Sequence, residues 1–226
     1  MSYSGISQEA LEFLMQVRLL DSREWYEEQK PRYREILLKP FQELVTDLTP
    51  CMERIDPDFC TIPSVGKTIS RIRRDTRFTN DKHLYRDTMW LMFRQKVDRD
   101  EVPGFFFEIS PVSWRYGMGF TWISPSSMQK MRTAFQSQYR KFQRATRWER
   151  SGSGFTVRGQ TFKRDRFPEL KEPLKHWCNL REMYVAKDST DMEALRDPKL
   201  PELLAKDFEL LAELYRFFWE VLHQGE

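Results

Sequence analysis

Two stretches of the chain decide the fold: residues 104–110 are GFFFEIS, and residues 114–123 are WRYGMGFTWI. In the first stretch the large apolar residues occupy every second position: Phe105, Phe107 and Ile109. Successive side chains of a strand point to opposite faces of a sheet, so this period of two predicts a half-buried strand. Because only residues 111–113 separate the two stretches, we expect them to form an antiparallel hairpin.

The residues on either side predict further strands. Alternation is clear in residues 88–97, where Met89, Leu91 and Phe93 share one face. Shorter strands are predicted at three other places: residues 68–75, 155–162 and 183–186. Inside the second opening stretch, Gly117 and Gly119 indicate a bulge or a close approach of another backbone.

Helices are predicted before, between and after the strands, because apolar residues recur at intervals of three and four. The predicted ranges are residues 7–20, 126–147 and 201–223. In the first helix Ser7 is the expected N-cap. Its predicted inward stripe is Leu11, Leu14, Met15 and Leu19. The predicted stripe of the second is Met128, Met131, Phe135, Tyr139 and Phe142.

Proline and acidic residues divide the helical region that follows residue 20. Asp21 and the glutamate three residues later resemble a capping box for a short helix. Pro31 is expected to begin the next helix, and Pro40 is expected to kink or divide it, because proline removes a backbone donor. Pro50 and Pro57 are expected to mark its end.

The order of these elements predicts an α+β fold, because helices and strands are segregated along the chain and do not alternate. We expect an antiparallel sheet of hairpins and a meander, packed by the N-terminal helices, a central helix and a long C-terminal helix. A length of 226 residues fits a single domain over residues 1–226.

The composition favours a globular protein of the cytoplasm. The net charge is +3, which is small for a general nucleic-acid binder. Cys51, Cys60 and Cys178 are an odd number without close pairing, so we expect buried reduced thiols. No apolar run approaches the roughly 20 residues of a membrane span, and no signal peptide precedes the first helix. A cytoplasmic location and no membrane partner are therefore predicted.

The least generic part of the chain is residues 70–87, SRIRRDTRFTNDKHLYRD. Its cations are Arg71, Arg73, Arg74, Arg77, Lys82 and Arg86, and its carboxylates are Asp75, Asp81 and Asp87. On a strand these cations would point to both faces, so at least one arginine is expected near the buried side. A buried guanidinium needs a carboxylate or a bound anion.

Three interpretations of this cluster remain open. It is an ion-pair network that holds the fold, a pocket for a phosphorylated or other anionic ligand, or the site of an enzyme that acts on such a ligand. The catalytic candidates are Asp75, Asp81 and Lys82. The candidate ligand-binding residues are Arg71, Arg74, Arg77, Lys82, Trp25, Lys30, Tyr33, Tyr85 and Glu108.

Other chemistry is not indicated by the motifs. The chain has no phosphate-binding GxxxxGK[ST] loop, no GxSxG nucleophile elbow and no Cys-x-x-Cys pair. His176 and Cys178 are too few for zinc, so neither a metal nor a cofactor is predicted. His83 is expected to be a surface histidine beside a helix start.

The predicted central helix carries a basic face. Its cations are Lys130, Arg132, Arg140, Lys141, Arg144 and Arg147. A solvated face is the simpler interpretation, since helix surfaces are commonly charged, and nucleic-acid binding is the alternative. With a net charge of +3, nucleic-acid binding is not expected to be strong, and the sequence does not indicate an oligomeric state.

The cluster also resembles a known family. Residues 71–82 fit the pattern RxxRDxRFxxDK, which is similar to the motif of the domain of unknown function 2461 family. Residues 23–33, REWYEEQKPRY, resemble its tryptophan-containing helix, and GFFFEISP and YGMGFTWISP resemble its paired strands. A looser match is PLKHWCNLREMYVAKD, and the whole resemblance covers about residues 6–223.

The resemblance implies an α+β fold and no known activity, substrate or catalytic residue. The sequence departs from the family pattern at two places. Asp21 and Ser22 replace a pair of asparagines, and Leu84 replaces a proline before Tyr85. If the asparagine pair contacts a ligand in the family, this chain lacks those two amide side chains.

Overall fold

A computed structural model describes residues 2–77, 79–97 and 101–223 of the chain. Phe78, which is part of the family motif, lies outside the described residues. Helices pack with a five-stranded antiparallel sheet, and a long helix ends the described chain. The predicted α+β fold is confirmed.

The N-terminal region is helical: α1 spans Gln8–Leu20, α2 spans Arg23–Tyr33 and α3 spans Lys39–Ile55. Ser7 is the N-cap of α1, as predicted, and its hydroxyl accepts a hydrogen bond from the amide of Ala10 at 3.2 Å. The cap of α2 is Ser22, whose hydroxyl accepts from the amide of Trp25. The capping box predicted at Asp21 is therefore wrong, because Ser22 supplies the capping oxygen.

The inward face of α1 also differs from the prediction. Met15 and Leu19 are 53% and 80% exposed, whereas Leu11 and Leu14 are buried. The buried stripe is instead completed by Ala10, Phe13 and Val17. It rotates towards Phe13 because that ring packs on two aromatic rings of α2.

The prolines act partly as expected. A π-helical turn, Arg34–Leu38, separates α2 from α3, and Pro40 is the second residue of α3, so the predicted division is confirmed. Proline has no amide proton to donate to the preceding turn, which favours the wider turn. Pro31 and Pro50, however, lie inside α2 and α3 and neither begins nor ends a helix. The apolar face of α3 continues past Pro50 to Ile55, and this burial keeps the helix intact.

The sheet contains β1 Met89–Arg94, β2 Pro103–Ile109, β3 Trp114–Phe120, β4 Thr156–Arg158 and β5 Tyr184–Ser189. The strand order is β1-β2-β3-β5-β4. The first three strands form the predicted meander, and the alternating burial predicted for β1 and β2 is confirmed. Thr156, Val157 and Arg158 of β4 pair with Ala186, Val185 and Tyr184 of β5.

Residues 68–75 do not form the strand that was predicted there. Isolated bridges join Ile69 to Leu91 and Arg73 to Tyr85. An uninterrupted hairpin containing the first bridge would pair residue 73 with residue 87, so the register shifts by two residues between the bridges. This shift breaks the ladder into two short pieces.

The two glycines of β3 allow a close approach of β5, as predicted. A β-carbon on Gly117 would lie 1.8 Å from the carbonyl oxygen of Val185, and one on Gly119 would lie 2.4 Å from the β-carbon of Tyr184. No side chain fits at either position. Glycine is therefore required for β3 and β5 to be neighbours.

The remaining helices are α4 Pro125–Ser137, α5 Tyr139–Ala145, α6 Leu174–Asn179 and α7 Leu200–His223. The single helix predicted over residues 126–147 is divided at Gln138, whose φ of −108° and ψ of 35° are not helical. The hydroxyls of Thr133 and Ser137 donate to carbonyls four residues earlier, a pattern that bends helices. After the break, Tyr139 is 39% exposed and does not belong to the predicted stripe.

The chain divides into two compact units. Unit 1 contains residues 1–93, 106–116 and 188–205, and unit 2 contains residues 94–105, 117–187 and 206–226. Rings of Phe41, Phe107 and Trp114 pack in the core of unit 1. The core of unit 2 is built on Phe135, Phe142, Trp177, Phe217 and Phe218. The single domain remains a prediction.

All three cysteines are buried and none of them forms a disulfide, as predicted. No helix among the described residues has the length and apolar character that crossing a membrane requires.

Candidate functional site

The candidate site is built on a loop that unit 1 holds at both ends. The Arg74 amide donates to the Leu84 carbonyl at 2.8 Å, and the Arg86 amide donates to the Ile72 carbonyl at 3.0 Å. Residues 75–77 and 79–83 therefore belong to a loop closed by a short piece of antiparallel backbone. We call residues 71–86 the cluster segment.

Asp21 fastens the cluster segment to the end of α1. It is the C-cap residue of α1, with a φ of 45°, a conformation that aspartate tolerates better than most residues. Its carboxylate accepts hydrogen bonds from the amides of Leu84 at 2.7 Å and Tyr85 at 3.1 Å. The guanidinium of Arg18 donates to the Tyr85 carbonyl at 3.2 Å. Sequence reasoning missed this role of Asp21, although its position in the family motif was a signal.

Asp81 is the centre of the ion pairs in the cluster segment. Its carboxylate accepts from the guanidinium of Arg74, from His83 at 2.6 Å and from Arg18 at 2.9 Å. Three hydrogen-bond donors hold the pKa of Asp81 well below its ordinary value. The Arg74 guanidinium has the largest effect, followed by the His83 ring and the Arg18 guanidinium. Such a carboxylate stays ionised at neutral pH and has little tendency to take up a proton, so general-base catalysis by Asp81 is disfavoured.

A second pair lies within the loop. The Arg77 guanidinium donates to the Asp75 carboxylate, with 2.6 Å between Nη2 and Oδ2. Hydrogen bonds from the Arg77 side chain and amide lower the pKa of Asp75 to about 2. The Lys82 ammonium donates to the Thr76 carbonyl at 3.0 Å. The two remaining catalytic candidates, Asp75 and Lys82, are thus both bonded inside the loop.

An aromatic cluster brings three of the predicted ligand-binding residues together. The Tyr85 ring lies 4.8 Å from that of Tyr26, which lies 5.8 Å from that of Tyr33. Phe13 extends the cluster, with ring centroids 6.0 Å from Tyr33 and 5.5 Å from Trp25. The sequence interpretation missed Tyr26 and Phe13. Tyr26 could have been found, since it is seven residues before Tyr33 and so shares its helix face.

Two exposed arginines of the cluster segment have no carboxylate partner among the described residues. Arg73 is exposed and bridged opposite Tyr85. Burial raises the pKa of the Tyr85 phenol, and the Arg73 guanidinium opposes this increase. Arg71 is also exposed, and within the described ranges neither arginine forms an ion pair.

Two predicted ligand-binding residues outside the cluster segment are also paired. Lys30 pairs with Glu27 at 2.8 Å, one helical turn away. Glu108 of β2 pairs with Arg115 of β3 at 2.8 Å. The structure therefore brings Trp25, Tyr33 and Tyr85 together in one aromatic cluster, whereas Lys30 and Glu108 are each held by a local pair.

The basic face predicted for the central helix is only partly solvated. Arg132 is 5% exposed, contrary to the prediction, because its guanidinium donates to the carbonyls of Cys178 and Leu180. Lys141 pairs with Glu220, and Arg147 pairs with Glu213 at 3.7 Å. Fewer cations are therefore available to a nucleic acid on this face than the sequence indicated.

Among the described residues, no group of three or more His, Cys, Asp or Glu side chains is arranged to hold a metal ion. No curated protein matches the chain. Residues 9–217 match the family described as conserved hypothetical protein (DUF2461). Because this match spans most of the sequence, including both the cluster segment and the paired strands, the chain belongs to that family.

Proposed function

We propose that the protein binds a phosphorylated or otherwise anionic ligand on the exposed side of the cluster segment. The observation that carries the proposal is that Arg71 and Arg73 are exposed and, in the described part of the chain, have no carboxylate partner. Guanidinium groups bind phosphate and carboxylate with two parallel hydrogen bonds. Tyr85, which is bridged opposite Arg73, is 2% exposed and supports this surface from the buried side.

Two other cations near this site are already paired with a carboxylate, so we propose a structural role for them. Arg74 and Arg18 neutralise Asp81, and Asp21 binds the amides of residues 84 and 85. These contacts fix the backbone on which Arg73 and Tyr85 sit. Pre-organisation of this kind lowers the entropy lost on binding.

Binding is favoured over catalysis at this site. An acid–base enzyme needs a group whose pKa lies near the working pH, and the pKa values of Asp75 and Asp81 are both strongly lowered. We further propose a cytoplasmic location, because three buried thiols without a disulfide suit a reducing compartment.

The test is thermal denaturation with sodium phosphate against sodium chloride at equal ionic strength. A ligand that binds the folded state raises the melting temperature with concentration. We expect phosphate to stabilise the parent protein and to have a much smaller effect on Arg71→Gln/Arg73→Gln. The matched control is Arg77→Gln, which removes an exposed arginine that already has a carboxylate.

The control should keep the full phosphate effect. An unchanged phosphate effect in the double variant, or no specific effect in the parent protein, would refute the proposal. Both substituted side chains are exposed, so the double variant is expected to fold.

A further inference from the structure

A separate cavity lies within unit 2. None of the residues that line it belongs to the proposed anion site. The cavity has a volume of about 850 Å³ and is lined by residues 122–123, by the α4 face that ends at Arg132, by residues 160, 162–164 and 166, and by residues 181–182. This volume is within the range of small-molecule pockets in proteins. We call it the basic groove, because Lys163, Arg164, Arg166 and Arg181 line it with one carboxylate, Glu182.

The floor of the basic groove is held by backbone and buried side-chain contacts. The Phe162 amide donates to the Asn179 carbonyl at 2.9 Å, and the Arg181 amide donates to the Gln160 carbonyl at 2.6 Å. Beneath them the buried Arg132 donates to the carbonyls of Cys178 at 2.8 Å and Leu180 at 2.6 Å. The groove is therefore a built feature of unit 2.

The cations on the wall of the groove lack partners of opposite charge. In the part of the chain that the structure describes, Lys163, Arg164 and Arg181 form no ion pair, and all three are exposed. The guanidinium of Arg166 lies over the Phe162 ring, 3.9 Å from its centroid. Several unpaired cations around one concavity repel one another, and a bound polyanion would relieve that repulsion.

An aromatic ring completes the groove. Trp122 lines it and is 55% exposed, an unusual exposure for a side chain of this size. Cations interleaved with exposed aromatic rings are how proteins hold the phosphates and stack the bases of nucleotides. A ligand with only phosphates would use the arginines and leave the indole face unused.

We infer that the basic groove binds a nucleotide, with its phosphates at Arg164 and Arg181 and its base stacked on Trp122. The nucleotide is either free or one unit of a single strand, since both present the same phosphate and the same planar base. The inference does not depend on the anion site at Arg71 and Arg73.

The test is isothermal titration of the parent protein with ATP and with inorganic tripolyphosphate, both without magnesium and at equal ionic strength. We expect ATP to bind about tenfold more tightly, because base stacking adds to the phosphate contacts. Trp122→Ala should bring the two affinities together by weakening only ATP. Arg164→Gln/Arg181→Gln should weaken both ligands by at least about tenfold.

The matched control is Arg140→Gln/Arg144→Gln, which removes the same charge from exposed positions of α5 outside the groove. It should leave both affinities within about twofold of the parent values, because exposed charges at a distance are screened. Equal binding of ATP and tripolyphosphate by the parent protein would overturn the inference. So would a groove variant, Arg164→Gln/Arg181→Gln, that binds ATP as tightly as the control.

A short oligothymidylate separates the two sources of the nucleotide. Tighter binding of the oligomer than of ATP, weakened by the groove variant, identifies a unit of a single strand. Tighter binding of ATP, weakened by the same variant, identifies a free nucleotide.

Discussion

The cluster segment and the basic groove are both rich in arginine, but their charges are used differently. In the cluster segment, Arg74 and Arg77 are paired with Asp81 and Asp75, carboxylates of the same loop. In the groove, Arg164 and Arg181 form no such pair with any described residue. The density of charge in a sequence therefore does not indicate which cations remain available to a ligand. The positions of nearby carboxylates in the folded structure determine which cations remain available.

The largest effect on stability is expected at Arg132, the groove cation that is buried. It tests whether a buried groove cation differs from the exposed ones. Arg132→Met would leave the Cys178 and Leu180 carbonyls without their donor. Each unsatisfied buried group costs about 1–3 kcal/mol, so for these two carbonyls we expect a loss of roughly 2–6 kcal/mol of stability. Urea denaturation followed by circular dichroism measures it.

Lys163→Met is the matched control for Arg132→Met, because Lys163 lines the same groove but is exposed and unpaired within the described ranges. Its stability should remain within about 0.5 kcal/mol of the parent. Equal losses in the two variants would contradict the distinction between a structural cation and available ones.

A smaller effect is expected at Asp81, on which the cluster segment depends. Asp81→Asn would leave Arg74 and Arg18 without their shared carboxylate, so the melting temperature should fall at pH 7. Because the folded state lowers the pKa of Asp81, its stabilisation is complete above the unfolded value of about 4 and is lost as the pH falls below it. The difference between parent and variant should therefore narrow from pH 7 to pH 3.

Thermal denaturation across that pH range checks this prediction. Asp75→Asn is a suitable comparison, since its pair with Arg77 is more exposed to solvent. A difference between parent and Asp81→Asn that stays constant down to pH 3 would show that the charge of Asp81 is not what stabilises the loop.

The smallest effect is expected at Arg77. Its side chain is 76% exposed and its partner Asp75 is 51% exposed, and solvent-exposed ion pairs contribute little to stability. Arg77→Met should therefore melt within error of the parent protein, whereas Arg74→Met, whose arginine is only 19% exposed, should melt earlier. Differential scanning calorimetry of the two variants side by side checks this. A larger loss at Arg77 would reverse the assignment of the structural pair.

Local patterns in the sequence predicted much of the fold. The alternation in β1 and β2 and the helical spacing in α7 arise from burial on one face, which each segment encodes by itself. The shift in pairing between Ile69 and Arg73 was not predictable in this way, because it depends on which distant residues they meet. The same applies to the break of the central helix at Gln138.

The candidate sites show the same limit. The cluster segment was predicted from its composition, but the contact of Asp21 with the Leu84 amide joins residues far apart in the sequence. The basic groove was not predicted at all. Its exposed cations are Lys163, Arg164, Arg166 and Arg181, and the backbone pairing of residues 160–162 with residues 179–181 brings them together.

The three buried cysteines can report transient local opening of the folded structure. Cys51 and Cys60 belong to unit 1, and Cys178 belongs to unit 2. Burial raises the pKa of the Cys178 thiol to about 11, so at pH 8 an alkylating reagent modifies it only when the surrounding structure opens. The modification rate of each cysteine, followed by peptide mass spectrometry, measures how often the structure around that cysteine opens. Equal rates mean that the two units open as one cooperative body, and unequal rates mean that each opens independently.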